Sequence, residues 1–178
     1  MLHAKRAIGT CSIALDIKKL KVARPKIQKI VSGGQTGADR AGLDWAIAQG
    51  LEHQGWCPAG RRAEDGEIPR EYSLRETDSS NYLVRTRWNV RDSDGTVIFT
   101  LSDHLSGGSL ATQRFASALG RPCLHVARDG RYDAVEVLLE FLEEFDVKIL
   151  NIAGPRRSNE PDVGEFIWQV MDGLIGAE

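Results

Sequence analysis

The chain has 178 residues, 42 % hydrophobic and 27 % charged, with a formal net charge of -2, which describes one globular unit better than two. No apolar run approaches the ~18 residues of a membrane-spanning helix, and the near-neutral charge provides no general attraction to nucleic acid or to an anionic membrane. Cys11, Cys57 and Cys123 are isolated and odd in number; they form neither a metal-binding pair nor a disulfide framework, and point to a reducing, cytoplasmic setting.

Residues 1–25 read as a basic extension without helical or strand period: a disordered arm, an extra edge strand, or a start placed too early. Over residues 1–30 eight basic groups face the single acid Asp16, and the remainder of the chain is acidic, with almost all of its basic residues arginine. The extension lacks the apolar core and cleavage site of a secretory signal.

Residues 26–178 read as a single domain. Lys26–Ser32 has the pattern of a strand and runs into Gly33-Gly34-Gln35-Thr36-Gly37. A helix is predicted over Thr36–Gln49, capped by Thr36 with Asp39 at its third position and closed by Gly50. A strand near Gln54–Cys57 follows. Residues 58–80 are polar and turn-forming, with one short strand around Tyr72–Glu76; a loop of this length inside a compact domain is usually functional. A helix over Ser80–Arg91, a turn over Asp92–Gly95 and a β-branched strand over Thr96–Leu101 come next. Gly107-Gly108-Ser109 opens a helix to Leu119. Pro122–Ala127 is a strand, Tyr132 to Phe145 an amphipathic helix, Val147–Ala153 a strand, and Val163 to Leu174 a helix with a clean apolar stripe. Such alternation predicts a three-layer, Rossmann-like α/β domain with a mostly parallel sheet and helices on both faces.

In such sheets ligands bind beyond the C-terminal ends of the strands. Three junctions there carry candidate binding residues. At Gly33, Gly34, Gln35, Thr36 and Gly37, glycines admit close backbone approach and free helix amides favour an anion; the alternative is a tight turn with a cap. Gly107, Gly108 and Ser109, with Thr112 one turn on, repeat the arrangement. Arg156, beside Arg157, offers a planar fork for phosphate. The long loop adds Arg61, Arg62, Glu64 and Asp65, which form either an ion-pair cluster or a ligand clamp with an acid/base carboxylate. Asn89, Asp92 and Asp94 read as an Asx-rich turn. His53, His104 and His125 have no metal-ligand spacing, and no directly bound metal is expected.

The segments SGGQTGADRAGLDWA (32–46), CPAGRRAEDGEIPREYSLRE (57–76), YLVRTRWNVRDSDGTVIF (82–99), GGSLAT (107–112) and LNIAGPRRS (150–158) resemble the molybdenum cofactor carrier family. That family lies within the Rossmann-like group that includes the cytokinin-activating LOG phosphoribohydrolases and DNA-processing protein A. The resemblance covers about residues 27–175. It implies a homo-oligomer that holds a phosphorylated small molecule, either molybdenum cofactor (molybdopterin) or a nucleotide; the charge and hydropathy given above lead to the expectation of no nucleic-acid or membrane partner. The LOG enzymes carry a glycine-rich loop followed by a catalytic glutamate. Here Asp39 falls at that place counted from Gly33, and Gln113 counted from Gly107. Hydrolysis of a nucleoside monophosphate is therefore the alternative to carriage, with Asp39 or Glu64 as its candidate catalytic residue.

Overall fold

The structure, a computed structural model, describes residues 27–176; the basic extension and Lys26 lie outside the described residues. Six parallel strands form the main sheet: β1 (Lys29–Val31), β2 (Glu52–Cys57), β5 (Leu74–Glu76), β6 (Gly95–Thr100), β7 (Cys123–Ala127) and β8 (Ile149–Ala153), in the order β5-β2-β1-β8-β6-β7. Between β2 and β5, β3 (Arg62–Ala63) and β4 (Gly66–Glu67) pair as a small antiparallel hairpin.

Five helices cover the sheet: α1 (Ala38–Ala48), α2 (Tyr82–Arg91), α3 (Gly107–Leu119), α4 (Ala134–Glu144) and α5 (Val163–Gly176). Helices α1, α4 and α5 pack together on one face, and α2 and α3 pack together on the other. Connections that step along the sheet in one direction use the first face, and those that step back use the second. This is the arrangement right-handed crossovers demand. The expected Rossmann-like three-layer fold is thus the observed one.

The two faces differ in chemistry because strand side chains alternate. Ile30, Val97, Phe99, Val126, Leu150 and Ile152 join Trp45, Phe141, Phe166, Ile167 and Met171 in the main apolar core under α1, α4 and α5. Their neighbours Thr96, Thr100 and Asn151 turn to the α2/α3 face, where they are buried and Asn151 Nδ2 donates to Thr96 Oγ1 at 3.1 Å. A smaller cluster of Leu43, Cys57, Ile68 and Tyr72 packs the long loop against α1.

Several boundaries differ from the sequence reading for local reasons. Helix α1 begins two residues after Thr36, with Gly37 at its cap position and no side-chain cap. The Thr36 hydroxyl is instead drawn to the Glu64 carboxylate and accepts from Arg157 N at 3.2 Å. The Asx-rich segment serves the fold: Asn89 accepts from Trp56 N at 2.7 Å and donates to Trp56 O at 3.1 Å. Asp94 accepts from Lys148 N and Ile149 N, tying β6 to β8.

Candidate functional site

The C-terminal ends of β1, β6 and β8 lie side by side and feed the loops to α1, α3 and α5. Between them, walled by the start of α2, is a polar cleft of about 630 Å³, within the size range of small-molecule sites. Gln35, Gly107, Gly108, Ser109 and Arg156 from the sequence-predicted set line it, joined by Arg85, His104, Ser158 and Glu160. A recess of about 40 Å³ behind it, with room for a water or two, is lined by Asp39, Asn89, Thr112 and Asn151 and shares Arg85, Thr86, Gly108 and Gly154 with the cleft.

The start of α3 is open. Ser106 provides no side-chain cap, and the amides of Gly107, Gly108 and Ser109 have no partner among the described residues, as expected for a first helical turn. A Cβ at Gly107 or Gly108 would meet nothing within 4 Å. Three free amides and the positive end of the helix dipole thus face the cleft. Thr112 sits one turn below, its hydroxyl donating to Gly108 O at 2.9 Å, which firms the turn.

The start of α1 is filled. Thr36 N donates to Gln35 Oε1 at 3.0 Å, Gln35 N to Asp39 Oδ2 at 3.2 Å, and Ala38 N to Pro155 O at 3.1 Å. Gly33 makes room for the Arg85 guanidinium and Gly34 for Leu74 and Ile68. Gly37, at φ +78, abuts the backbone of residues 155–157. Only Gln35 of this loop reaches the cleft. Its side chain is 6 % exposed and its Oε1 also accepts from Glu64 N at 2.9 Å. Its Nε2 is buried without a partner, a costly state unless a ligand or water accepts from it.

The carboxylates have fixed partners. Asp39, 4 % exposed, pairs through Oδ2 with Arg85 Nη1 at 2.8 Å; Arg85 Nε is buried and unpartnered. Glu64 accepts from Ser158 Oγ at 2.5 Å, from Ser158 N at 3.2 Å and from the Thr36 hydroxyl, and lies 3.9 Å from Arg156 Nε. Burial would raise the Glu64 carboxyl, but the hydrogen bonds from Ser158 and Thr36 outweigh it and hold it below its ordinary value. Glu64 and Asp65 are the two loop residues of the β3–β4 hairpin. While Glu64 reaches the β8–α5 loop, Asp65 takes a two-pronged bond from Arg40 at 2.6 and 2.8 Å, whose hydrogen bonding lowers its carboxyl.

Arg61 turns inward rather than to the cleft. It is 5 % exposed and donates to the carbonyls of Ile68, Leu74, Pro69 and Tyr72 at 2.8–3.1 Å, holding the long loop in shape. No residue of that loop lines the cleft among the described residues, so it braces the site through Glu64 instead of covering it. Arg85 escaped the sequence reading; its signal is the spacing with Asn89, four residues on, which puts both on the inner face of α2. Among the described residues no cluster of three or more His, Cys, Asp or Glu side chains could hold a metal ion, and no helix is long and apolar enough to cross a membrane.

A parallel sheet with a polar cleft and an open helix N-terminus at its strand ends defines a Rossmann-like ligand-binding domain. The chain belongs to the circularly permutated YpsA SLOG family, whose pattern matches residues 30–175, in agreement with the family resemblance of its motifs. It is also similar to the crystal structure of the "Putative molybdenum carrier protein" of Syntrophus aciditrophicus SB. The two are 41 % identical, with a TM-score of 0.83, over 86 % of this chain and 98 % of that one. No curated protein matches the chain.

Proposed function

We propose that this protein is a binding protein that holds a phosphorylated small molecule, molybdenum cofactor foremost, in the cleft between β1, β6 and β8. One observation carries the reading: the free amides of Gly107, Gly108 and Ser109 share a cleft with the unpartnered Nε2 of Gln35. Open helix amides beside one buried donor without an acceptor fit the oxygens of a phosphate, which needs several N–H groups and a positive helix end. Arg156, which also lines the cleft, adds a charge that a phosphate can share with Glu64. The similarity to a structure named as a molybdenum carrier supports molybdenum cofactor as the cargo. Tyr82 and His104, which also line the cleft, are side chains that could hold its pterin.

Carriage is favoured over hydrolysis by what the carboxylates do. Cleaving a glycosidic bond needs a carboxyl free to give or take a proton at the scissile atom. Asp39 is committed to Arg85 and Glu64 to Ser158 and Thr36. The test is a melting-temperature series with molybdopterin, AMP and GMP, followed by an assay for released base. A ligand that binds only the native state stabilises it by RT ln(1 + [L]/Kd) and so raises the melting midpoint. A rise without release is expected. Base release that disappears in Asp39→Asn would replace carriage with hydrolysis, and no rise with any phosphate monoester would remove the cleft as the site.

A further inference from the structure

The charged side chains that line the cleft differ in their partners. Arg85 already faces Asp39 at 2.8 Å, and Arg156 faces Glu64 at 3.9 Å. Each arginine of the cleft thus already has a carboxylate beside it, closely at Arg85 and loosely at Arg156. Glu160 is different. It lines the same cleft but forms no ion pair among the described residues. Its Oε2 accepts from Leu101 N at 2.6 Å, while its own backbone N–H donates to Arg156 O at 3.1 Å and its carbonyl accepts from Val163 N at 3.3 Å. The carboxylate is thereby held in place at the mouth of β6, and its Oε1 has no partner among the described residues.

A fixed carboxylate with a free oxygen beside an anion site does two things. It repels negative charge beyond the first phosphate. It also seeks donors, and two adjacent N–H groups on a planar ring suit a carboxylate well. We infer that Glu160 is a specificity-determining residue, and that the ligand class is a single phosphate joined to a ring with a 2-amino-4-oxo-pyrimidine edge, such as a pterin or a guanine. This rests on the phosphate-binding reading of the cleft. That reading stands on Gln35 Nε2, a buried orphan donor, as well as on the helix end.

Calorimetric titration of the full chain with GMP, IMP and AMP separates the two ideas, since IMP lacks the amino group and AMP also lacks the ring N–H. The expected order is GMP, then IMP, then AMP, with at least about tenfold between the first and last, because a charged acceptor left unpaired discriminates strongly. GDP and GTP should bind more weakly than GMP. Glu160→Gln keeps an acceptor for Leu101 N. It should bring the GMP/AMP ratio close to one and lift the penalty on GDP and GTP, with inorganic phosphate bound at least as well as before. AMP binding as tightly as GMP, or a ratio unmoved by Glu160→Gln, overturns the assignment while leaving the phosphate site intact. Failure of every nucleotide and of inorganic phosphate to bind overturns both.

Discussion

The two glycine-rich turns, residues 33–37 and 107–109, occupy the same place in two strand–helix units, yet one is closed by the protein and the other is open. At the first, side chains and backbone of the molecule itself take the space that absent Cβ atoms leave: Arg85 over Gly33, Leu74 over Gly34, and residues 155–157 against Gly37. Three of its amides, those of Gln35, Thr36 and Ala38, donate to Asp39, to the Gln35 side chain and to Pro155. At the second, nothing approaches Gly107 or Gly108, and three amides face the cleft. Glycine at a strand end signals a close approach without saying by what. When the protein makes the approach the turn is structural, and when it does not a ligand can.

If that distinction is right, substitutions at the two turns should fail in opposite ways, and Gly37→Ala should produce the largest effect. Gly37 has φ +78 and ψ -123, and a Cβ would come within 2.6 Å of the Arg157 N and the Pro155 carbonyl oxygen. Backbone strain and overpacking together should cost about 4 kcal/mol. Urea denaturation measures it; a loss below about 1 kcal/mol would show that the first turn is looser than described. Next comes Asp39→Ala, which leaves the 13 %-exposed Arg85 side chain without its partner at the closed turn. Removing one member of a buried pair costs about 3 kcal/mol. An Asp39→Ala protein as stable as the parent would mean that Arg85 has another acceptor.

The tie between the closed turn and the β8–α5 loop depends on an ionised Glu64. Its carboxyl is lowered on folding, so the stability it supplies is fully present above the ordinary glutamate range near 4.5 and is lost as the pH falls through the lower folded value. Limited proteolysis by pepsin, rated against an unfolded substrate at the same pH, should cut the 58–80 loop several-fold faster once the pH has fallen below the ordinary glutamate range. Glu64→Gln should already be susceptible at pH 5, where the parent resists. Equal cleavage of both proteins at pH 5 would mean that the loop is held by Arg61 and the Leu43–Tyr72 cluster alone.

The fold was largely legible in the sequence because its signals are local. The β-branched run before Gly107 and the stripe from Val163 to Leu174 mark β6 and α5 within a residue or two, and α3 has the bounds its Gly107–Leu119 pattern predicts. The site was legible only where a residue's partner is absent. Gln35, Gly107, Gly108, Ser109 and Arg156 do line the cleft. Arg61 looked like an anion binder, yet its acceptors are carbonyls from Ile68 to Leu74, brought together only when the loop closes. Thr36 has the spacing of a helix cap, but a carboxylate 28 residues away competes for its hydroxyl. Arg85 and Glu160 have no motif around them; each matters through a partner, or a missing partner, that only the folded chain reveals.

The smallest effect on stability belongs to the open turn. Gly108 lies within the first turn of α3, its φ is not positive, and an added Cβ meets no atom. Gly108→Ala should therefore leave folding within about 0.5 kcal/mol of the parent or stabilise it slightly, because alanine loses less backbone entropy in a helix. The same methyl group would stand beside the amides that face the cleft, where an anion must come within hydrogen-bond distance of the backbone. Phosphate and GMP affinity should fall about tenfold in calorimetry. A variant that keeps both its stability and its affinity would move the anion away from the α3 terminus, towards Gln35 Nε2 and Arg85 Nε. These buried donors also lack partners, and Gln35→Leu would then be the variant that loses binding.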